Sequence, residues 1–287
     1  MHGKICLVTG ATAGIGEVTA RELARQGATV IVVGRSREKS ETTVRQIRQQ
    51  TGNPAVEYLL ADLSSQKDVR ALAQQFKSTH QRLHALVNNA GGIFIWRQAS
   101  VDGIEMTFAL NHLNYFLLTN LLLDALKASA PARIINVSSR AHLRAPLNFD
   151  ALQSRRGYNG IRVYGQTKLA NLLFTYELAR RLEGTGVTAN ALHPGLVATN
   201  FGANNARLGG RYLGRLYRRL FRVIAISAEE GAQSSLYLAT SPEVAGVTGK
   251  YFVRRQAVPS SEASYDRAAA SRLWQVSEEL TDLAVGA

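Results

Sequence analysis

Cross-linking cysteine is almost absent from this chain: Cys6 stands alone, so no disulfide can form within it. A reducing compartment fits that usage, and a lone thiol in an apolar run reads as a small buried hydrophobe. The six histidines and the single cysteine show no metal-ligand spacing, which leaves metal catalysis without support. No uncharged apolar run reaches the roughly 18 residues that a bilayer-spanning helix needs. A secretory signal is not expected either, because an apolar strand-like run begins at residue 4, behind only Met1-His2-Gly3. Linker-like Pro/Ser/Gly tracts, repeats and low-complexity segments are missing, so the 287 residues are expected to form one domain with one large core. Acids are scarce, 21 against 34 lysines and arginines, giving a formal charge of +13. That balance invites a nucleic-acid reading, but the cations are spread along the chain and no recognition module is visible, so no nucleic-acid partner is expected.

What is present begins at the N-terminus. Lys4-Ile5-Cys6-Leu7-Val8 has the continuous apolar character of a buried parallel strand and runs into Thr9-Gly10-Ala11-Thr12-Ala13-Gly14-Ile15-Gly16, followed by a helical pattern to Gln26. Strand, glycine-rich turn and helix stand in the order that a dinucleotide needs. Gly10 permits a tight turn, Gly14 a close approach of backbone to a pyrophosphate, and Gly16 close packing of helix on strand, while the helix N-terminus offers amide donors to phosphate.

A second strand, residues 28–33, ends in Gly34-Arg35. An NAD-binding chain would carry an acid there for the ribose 2′-hydroxyl. No Asp or Glu occurs between Glu22 and Glu38; Arg35, with Arg37 or Lys39 as helpers, would instead attract a 2′-phosphate. NADP(H) is therefore expected ahead of NAD(H).

Further strand-like runs near 55–60, 84–88, 132–137, 187–192 and 249–253 alternate with helical stretches around 37–50, 65–80, 101–127, 162–183 and 228–239. Such alternation predicts a doubly wound α/β domain, a central parallel sheet of seven strands with helices on both faces. Asp62-Leu63 follow the third strand, where an adenine would lie, although Asp62 could equally cap the next helix. Asn88-Asn89-Ala90-Gly91 close the fourth strand, with small residues against which a cofactor can lie and asparagines able to tie strand ends together.

Tyr164 and Lys168 are spaced to share one helix face. An ammonium beside a phenol favours the phenolate, and moving the phenol by about 3 units corresponds to roughly 4 kcal/mol. The pair is thus a candidate general acid/base for a carbonyl.

Taken together, Thr9-Gly10-x-x-x-Gly14-x-Gly16, Asn88-Asn89-Ala90-Gly91, Ser139 and Tyr164-x-x-x-Lys168 resemble the short-chain dehydrogenase/reductase family over nearly the whole chain. The segments from Tyr164 to Phe174, Leu192 to Asn200 and Leu273 to Thr281 resemble its retinol dehydrogenase-like branch. The resemblance implies a Rossmann-type fold and NAD(P)-dependent interconversion of a hydrophobic carbonyl, retinoid-, lipid- or steroid-like, and its alcohol. It gives Ser139, not Ser138, the contact to the substrate oxygen and Tyr164 the proton transfer. Lys168 would hold the nicotinamide ribose, and Asn111 a water linking that lysine to solvent. Cofactor contacts are implied at Gly10, Thr12, Ala13, Gly14, Ile15, Gly16, Arg35, Asp62, Leu63, Asn89, Ala90, Gly91, Tyr164, Lys168, Pro194, Gly195, Val197 and Thr199. The long interval from Ser139 to Tyr164 is expected beside the active site, and a substrate lid around 198–226. Within it Arg207, Arg211, Arg215, Arg218, Arg219 and Arg222 alternate with apolar residues, a pattern that suits a lid or peripheral contact with a membrane surface. A cytoplasmic protein is expected, monomer or homodimer being left open. The alternative is a catalytically silent NADP(H)-binding sensor or scaffold of the same fold, against which the intact Asn111, Ser139, Tyr164 and Lys168 argue.

Overall fold

The computed structural model describes residues 1–153, 157–195 and 226–283. Strands β1 (Ile5–Thr9), β2 (Thr29–Gly34), β3 (Val56–Leu60), β4 (Ala85–Asn88), β5 (Ala132–Val137), β6 (Val187–His193), β7 (Tyr251–Val253) and β8 (Gln256–Val258) form one sheet in the order β3-β2-β1-β4-β5-β6-β7-β8. Seven strands are parallel, as the alternation predicts; β8 adds a short antiparallel edge on β7. Because β1 lies between β2 and β4, the chain winds one way from β1 and then returns to wind the other. The crevice at that reversal, outside the carboxyl ends of the strands, is where such sheets bind ligands.

The strands are apolar throughout because both faces are covered. Leu7, Ile31, Leu86, Ile134 and Ala189 point into one core layer with Phe76, Phe116, Phe174 and Trp274. Their neighbours Val8, Val30, Val32, Val87 and Ile135 point into the other, with Leu23 and Leu238. The helices are α1 (Gly14–Arg25), α2 (Arg37–Thr51), α3 (Gln66–Thr79), α4 (Met106–Phe108), α5 (Asn114–Leu121), α6 (Leu123–Lys127), α7 (Gly160–Arg181), α8 (Ala228–Thr240) and α9 (Arg267–Thr281). Side chains of Ser36, Ser65, Asn159, Ser227 and Asp266 cap α2, α3, α7, α8 and α9 by accepting an amide hydrogen bond. Helix α1 has no such cap, since Ala13 occupies the position. Its first amides are left for another acceptor.

The structure departs from the sequence reading in two elements. The stretch 101–127 is not one helix: it starts at Met106, where the buried Glu105 carboxylate accepts from the amides of Thr107 and Phe108, and passes through a π-turn at Ala109–Leu113. Helix α9 is an element beyond those expected from the sequence, with Ala270, Leu273, Trp274, Ser277 and Thr281 buried at helical spacing behind the Asp266 cap.

Candidate active site

The glycine turn is a cradle with no room for side chains. A Cβ on Gly10 would stand 2.9 Å from Ala90 Cα, and one on Gly16 2.4 Å from the Gly10 carbonyl oxygen. Gly10 and Gly14 also hold φ near +64° and +58°, where glycine is favoured. Thr9 and Asn89 lock this turn to β4. The Thr9 hydroxyl accepts from the amides of Asn89 and Ala90 at 2.9 and 3.0 Å, and Asn89 Nδ2 donates to the Thr9 carbonyl at 2.9 Å. Thr12 and Ala13 therefore lead into the uncapped first turn of α1, which begins with Gly14 and Ile15, and open amides at a helix N-terminus suit a pyrophosphate.

The other residues expected at the cofactor lie as follows. Arg35, at the end of β2, is exposed and has no hydrogen-bond or ion-pair partner among the described residues. Arg37 is already used, donating to Tyr58 Oη at 3.1 Å and lying 3.7 Å from Glu41. Asp62 is not the cap of α3. Its carboxylate accepts from the amide and hydroxyl of Ser64, while Ser65 caps the helix, so that half of the Asp62 alternative falls away. Leu63 is buried in the core. Gly91 faces Asn111 Oδ1 and Lys168 Nζ, at 3.1 and 3.7 Å from where its Cβ would be. Pro194 and Gly195 follow β6; Val197, Thr199 and the arginine-rich stretch 207–222 lie outside the described residues.

The two serines after β5 have different jobs. Ser138 turns inward and donates to the Lys168 carbonyl at 2.8 Å. Ser139 accepts from the Ala141 amide at 3.2 Å and its side chain hydrogen-bonds the Tyr164 phenol. Gly165 lets this happen, because any Cβ there would lie 2.8 Å from the Ala141 carbonyl oxygen as the 140–145 turn packs against α7. Within the Ser139–Tyr164 interval the 140–145 turn lies against α7 beside the site, Leu147, Phe149 and Leu152 pack with Leu173 and Leu273, and residues 154–156 lie outside the described residues.

Lys168 is buried, donates to the Val137 carbonyl at 3.0 Å, and places Nζ 5.6 Å from the centre of the Tyr164 ring. Burial draws its pKa down to about 7. In the protein alone the phenol is shifted upward. Burial pushes Tyr164 up to about 12, opposed only by the Ser139 hydrogen bond. Desolvation disfavours the charged phenolate.

Asn111 sits in the π-turn and clasps the loop after β4. Its Oδ1 accepts from the Gly92 amide at 2.8 Å, and its Nδ2 donates to the Gly92 carbonyl at 2.9 Å and to Thr167 at 3.1 Å. Its own carbonyl accepts from Asn171 Nδ2 at 2.9 Å. From Asn171 a buried polar chain runs both ways. It passes through Thr175 and Asn136 to Asn88, joining β4, β5 and α7, and through His112 to Ser277 on α9. Asn171, Thr175, Asn136 and Ser277 are supporting residues that the sequence reading did not single out; polar side chains among apolar ones in a buried run were the available signal. A cavity of about 970 Å³ lies at the opposite end of the strands, lined by Lys4, His84, Arg133 and Arg180. It touches none of this chemistry.

The profile of the short chain dehydrogenase family matches residues 4–207. Retinol dehydrogenase 12 of Mus musculus is 45% identical over 278 residues, covering 97% of this chain and 86% of that protein. Among solved structures, an uncharacterized protein from Mycobacterium paratuberculosis superposes with a TM-score of 0.78 at 34% identity, covering 98% of this chain and 94% of that one. The RhlG/NADP complex of Pseudomonas aeruginosa follows at 0.68 and 30% identity, covering 88% and 94%. With its glycine cradle at the sheet's reversal point and Ser139, Tyr164 and Lys168 at the carboxyl end of β5, the chain belongs to the short-chain dehydrogenase family, the NAD(P)-dependent oxidoreductases acting on CH–OH groups.

Proposed function

We propose that this enzyme interconverts a hydrophobic aldehyde or ketone and its alcohol with NADP(H), Tyr164 acting as general acid and base. The observation that carries the reading is the convergence of Ser139, Tyr164 and Lys168 beside the glycine cradle. The cradle fits the cofactor: Gly10 and Gly16 have no space for a side chain, and the amides of α1 have no capping side chain. Arg35 would meet a 2′-phosphate, and the solved RhlG relative is an NADP complex. When bound, the nicotinamide supplies or accepts the hydride. Ser139 orients the substrate oxygen, Tyr164 gives it a proton during reduction and removes one during oxidation, and Lys168 holds the ribose hydroxyls. A phenol held near 12 is fully protonated at neutral pH, so the resting site is set for reduction.

Support for an apolar substrate comes from the rim. Trp96, Leu143 and Ile161 are 62%, 55% and 68% exposed, on three segments that meet at the start of α7. The relatives named retinol dehydrogenase point to the same substrate class. The test is NADPH consumption against a panel of retinoid, long-chain and steroid carbonyls. Oxidation of NADPH by at least one is expected; binding of NADPH without turnover on any would leave the silent sensor reading.

The arginines from Arg207 to Arg222 are proposed to meet anionic lipid, each adding about 1 kcal/mol near the surface. Vesicle cosedimentation should be salt-sensitive and lost when Arg211, Arg215, Arg218 and Arg222 become Gln; absence of binding at low salt removes the proposal. No helix among the described residues is long and apolar enough to cross a membrane.

A further inference from the structure

His142 is buried three residues beyond Ser139, and both of its ring nitrogens are engaged. Nδ1 lies 2.6 Å from the Ser139 carbonyl oxygen, and the backbone amide of His142 reaches the same oxygen at 3.2 Å. On the other side, the Ser261 amide donates to Nε2 at 3.2 Å. These partners fix the tautomer. An amide can only donate, so Nε2 must offer its lone pair; a carbonyl can only accept, so Nδ1 must carry the proton. Burial favours the neutral ring that this arrangement needs. The ring edge packs on Tyr251 of β7 at 5.2 Å between centroids, with His193 of β6 and Arg140 of its own turn as the nearby titratable groups. The far anchor is itself fixed: Ser260, next to Ser261, bonds Tyr176 of α7 at 2.7 Å and Ser264 at 2.6 Å.

From this geometry we infer that His142 is a positioning residue for the reaction, a strut that transmits the rigid 260–264 segment to the Ser139 turn and so aims the Ser139 hydroxyl at the substrate oxygen. The far side of the turn packs on Gly165 of α7, and Gln166 Nε2 donates to the Pro146 carbonyl at 2.9 Å, so the His142 bonds act at the end of the turn that carries Ser139. Ser139 Oγ is tied within it only by the Ala141 amide, at 3.2 Å, and a small misplacement of an orienting group can cost about 100-fold in rate. His142 acts on the reaction through the Ser139 carbonyl.

The inference rests on the proposed reductase reading for its kinetic arm, and its tautomer arm is independent of that reading. In His142→Asn the amide nitrogen occupies the place of Nδ1 and can still donate to the Ser139 carbonyl. In His142→Gln the side-chain oxygen occupies the place of Nε2 and can still accept from Ser261, while the Ser139 contact is gone. With NADPH saturating, H142Q should lose at least about tenfold in kcat with an unchanged Kd for NADPH, whereas H142N should keep most of the wild-type kcat. Equal losses in both variants at equal unfolding midpoints, or full activity in H142Q, would overturn the inference. If no carbonyl is reduced by the wild type, or a variant fails to fold, nitrogen-15 NMR of the wild-type imidazole decides it. The neutral ring protonated at Nδ1, the less common tautomer in solution, supports the strut; a proton on Nε2 removes it.

Discussion

Single residues at the site are governed by desolvation more than by their charged neighbours. Tyr164 illustrates the consequence: held near 12, it is the right species to donate a proton, and the wrong one to accept it, at neutral pH. Alcohol oxidation should accordingly climb with pH from about 6 to 9, while carbonyl reduction should not rise across the same range. Parallel profiles in the two directions would speak against Tyr164 as the titrating group. Tyr164→Phe should keep NADPH binding and lose well over about tenfold in kcat, a barrier increase above ~1.4 kcal/mol. Arg35 is the second residue whose surroundings define its task. It stands exposed after β2 without a partner among the described residues, whereas Arg37 is engaged by Tyr58 and Glu41. Arg35→Asp should raise KM for NADPH far more than for NADH; an unchanged ratio would remove the 2′-phosphate assignment.

At the scale of elements, the glycine turn and the π-turn do opposite things with the backbone. The first strips side chains away so that amides are left open, and its tolerance is small: a Cβ on Gly16 would also lie 2.5 Å from Asn89 Nδ2. Gly16→Ala should cost about 1–3 kcal/mol of stability by overpacking. It should weaken NADPH binding by about tenfold or more as the amides of α1 move, measured by titration of cofactor fluorescence. Wild-type affinity in this variant would mean that the cofactor does not lie on this turn. The π-turn redirects the Asn111 carbonyl toward Asn171 and its side chain toward Gly92 and Thr167, bonds that a regular helix through 101–127 would not have placed there. Periodicity alone could not reveal it, because residues 107–109 and 111–119 are all buried and leave no apolar stripe whose register could show the extra residue.

Across the whole molecule, α9 closes the core on which the site stands. Trp274 packs edge-on against Phe116 at 5.0 Å, and Ser277 meets His112 at 3.0 Å, so the end of the chain reaches the residue next to Asn111. Burial holds His112 at about 4 and His193 at about 4, against 6.5 for an ordinary histidine. Between those values the unfolded chain binds more protons than the folded one. Stability is therefore full above about pH 6.5 and falls as the pH drops toward 4, by on the order of 3 kcal/mol for His112. Urea unfolding at pH 7 and pH 5 should show this loss, and His112→Gln should reduce the difference between the two pH values. An equal difference in the variant would place the acid sensitivity elsewhere.

By itself the sequence determined the parallel α/β architecture, because strands buried on both faces must be apolar throughout, and it determined the cradle, because only glycines permit those contacts. It also marked Ser139, Tyr164 and Lys168 as members of one site through their resemblance to a family. The electrostatic state of that site was decided only by tertiary structure. Whether Lys168 keeps its charge and which way Tyr164 shifts depend on how much water the packed sheet and α7 exclude. The same holds for Asp62, whose possible role as a helix cap passed to Ser65. Adjacent polar residues have equal propensities, and only the direction of each side chain in the folded chain separates them.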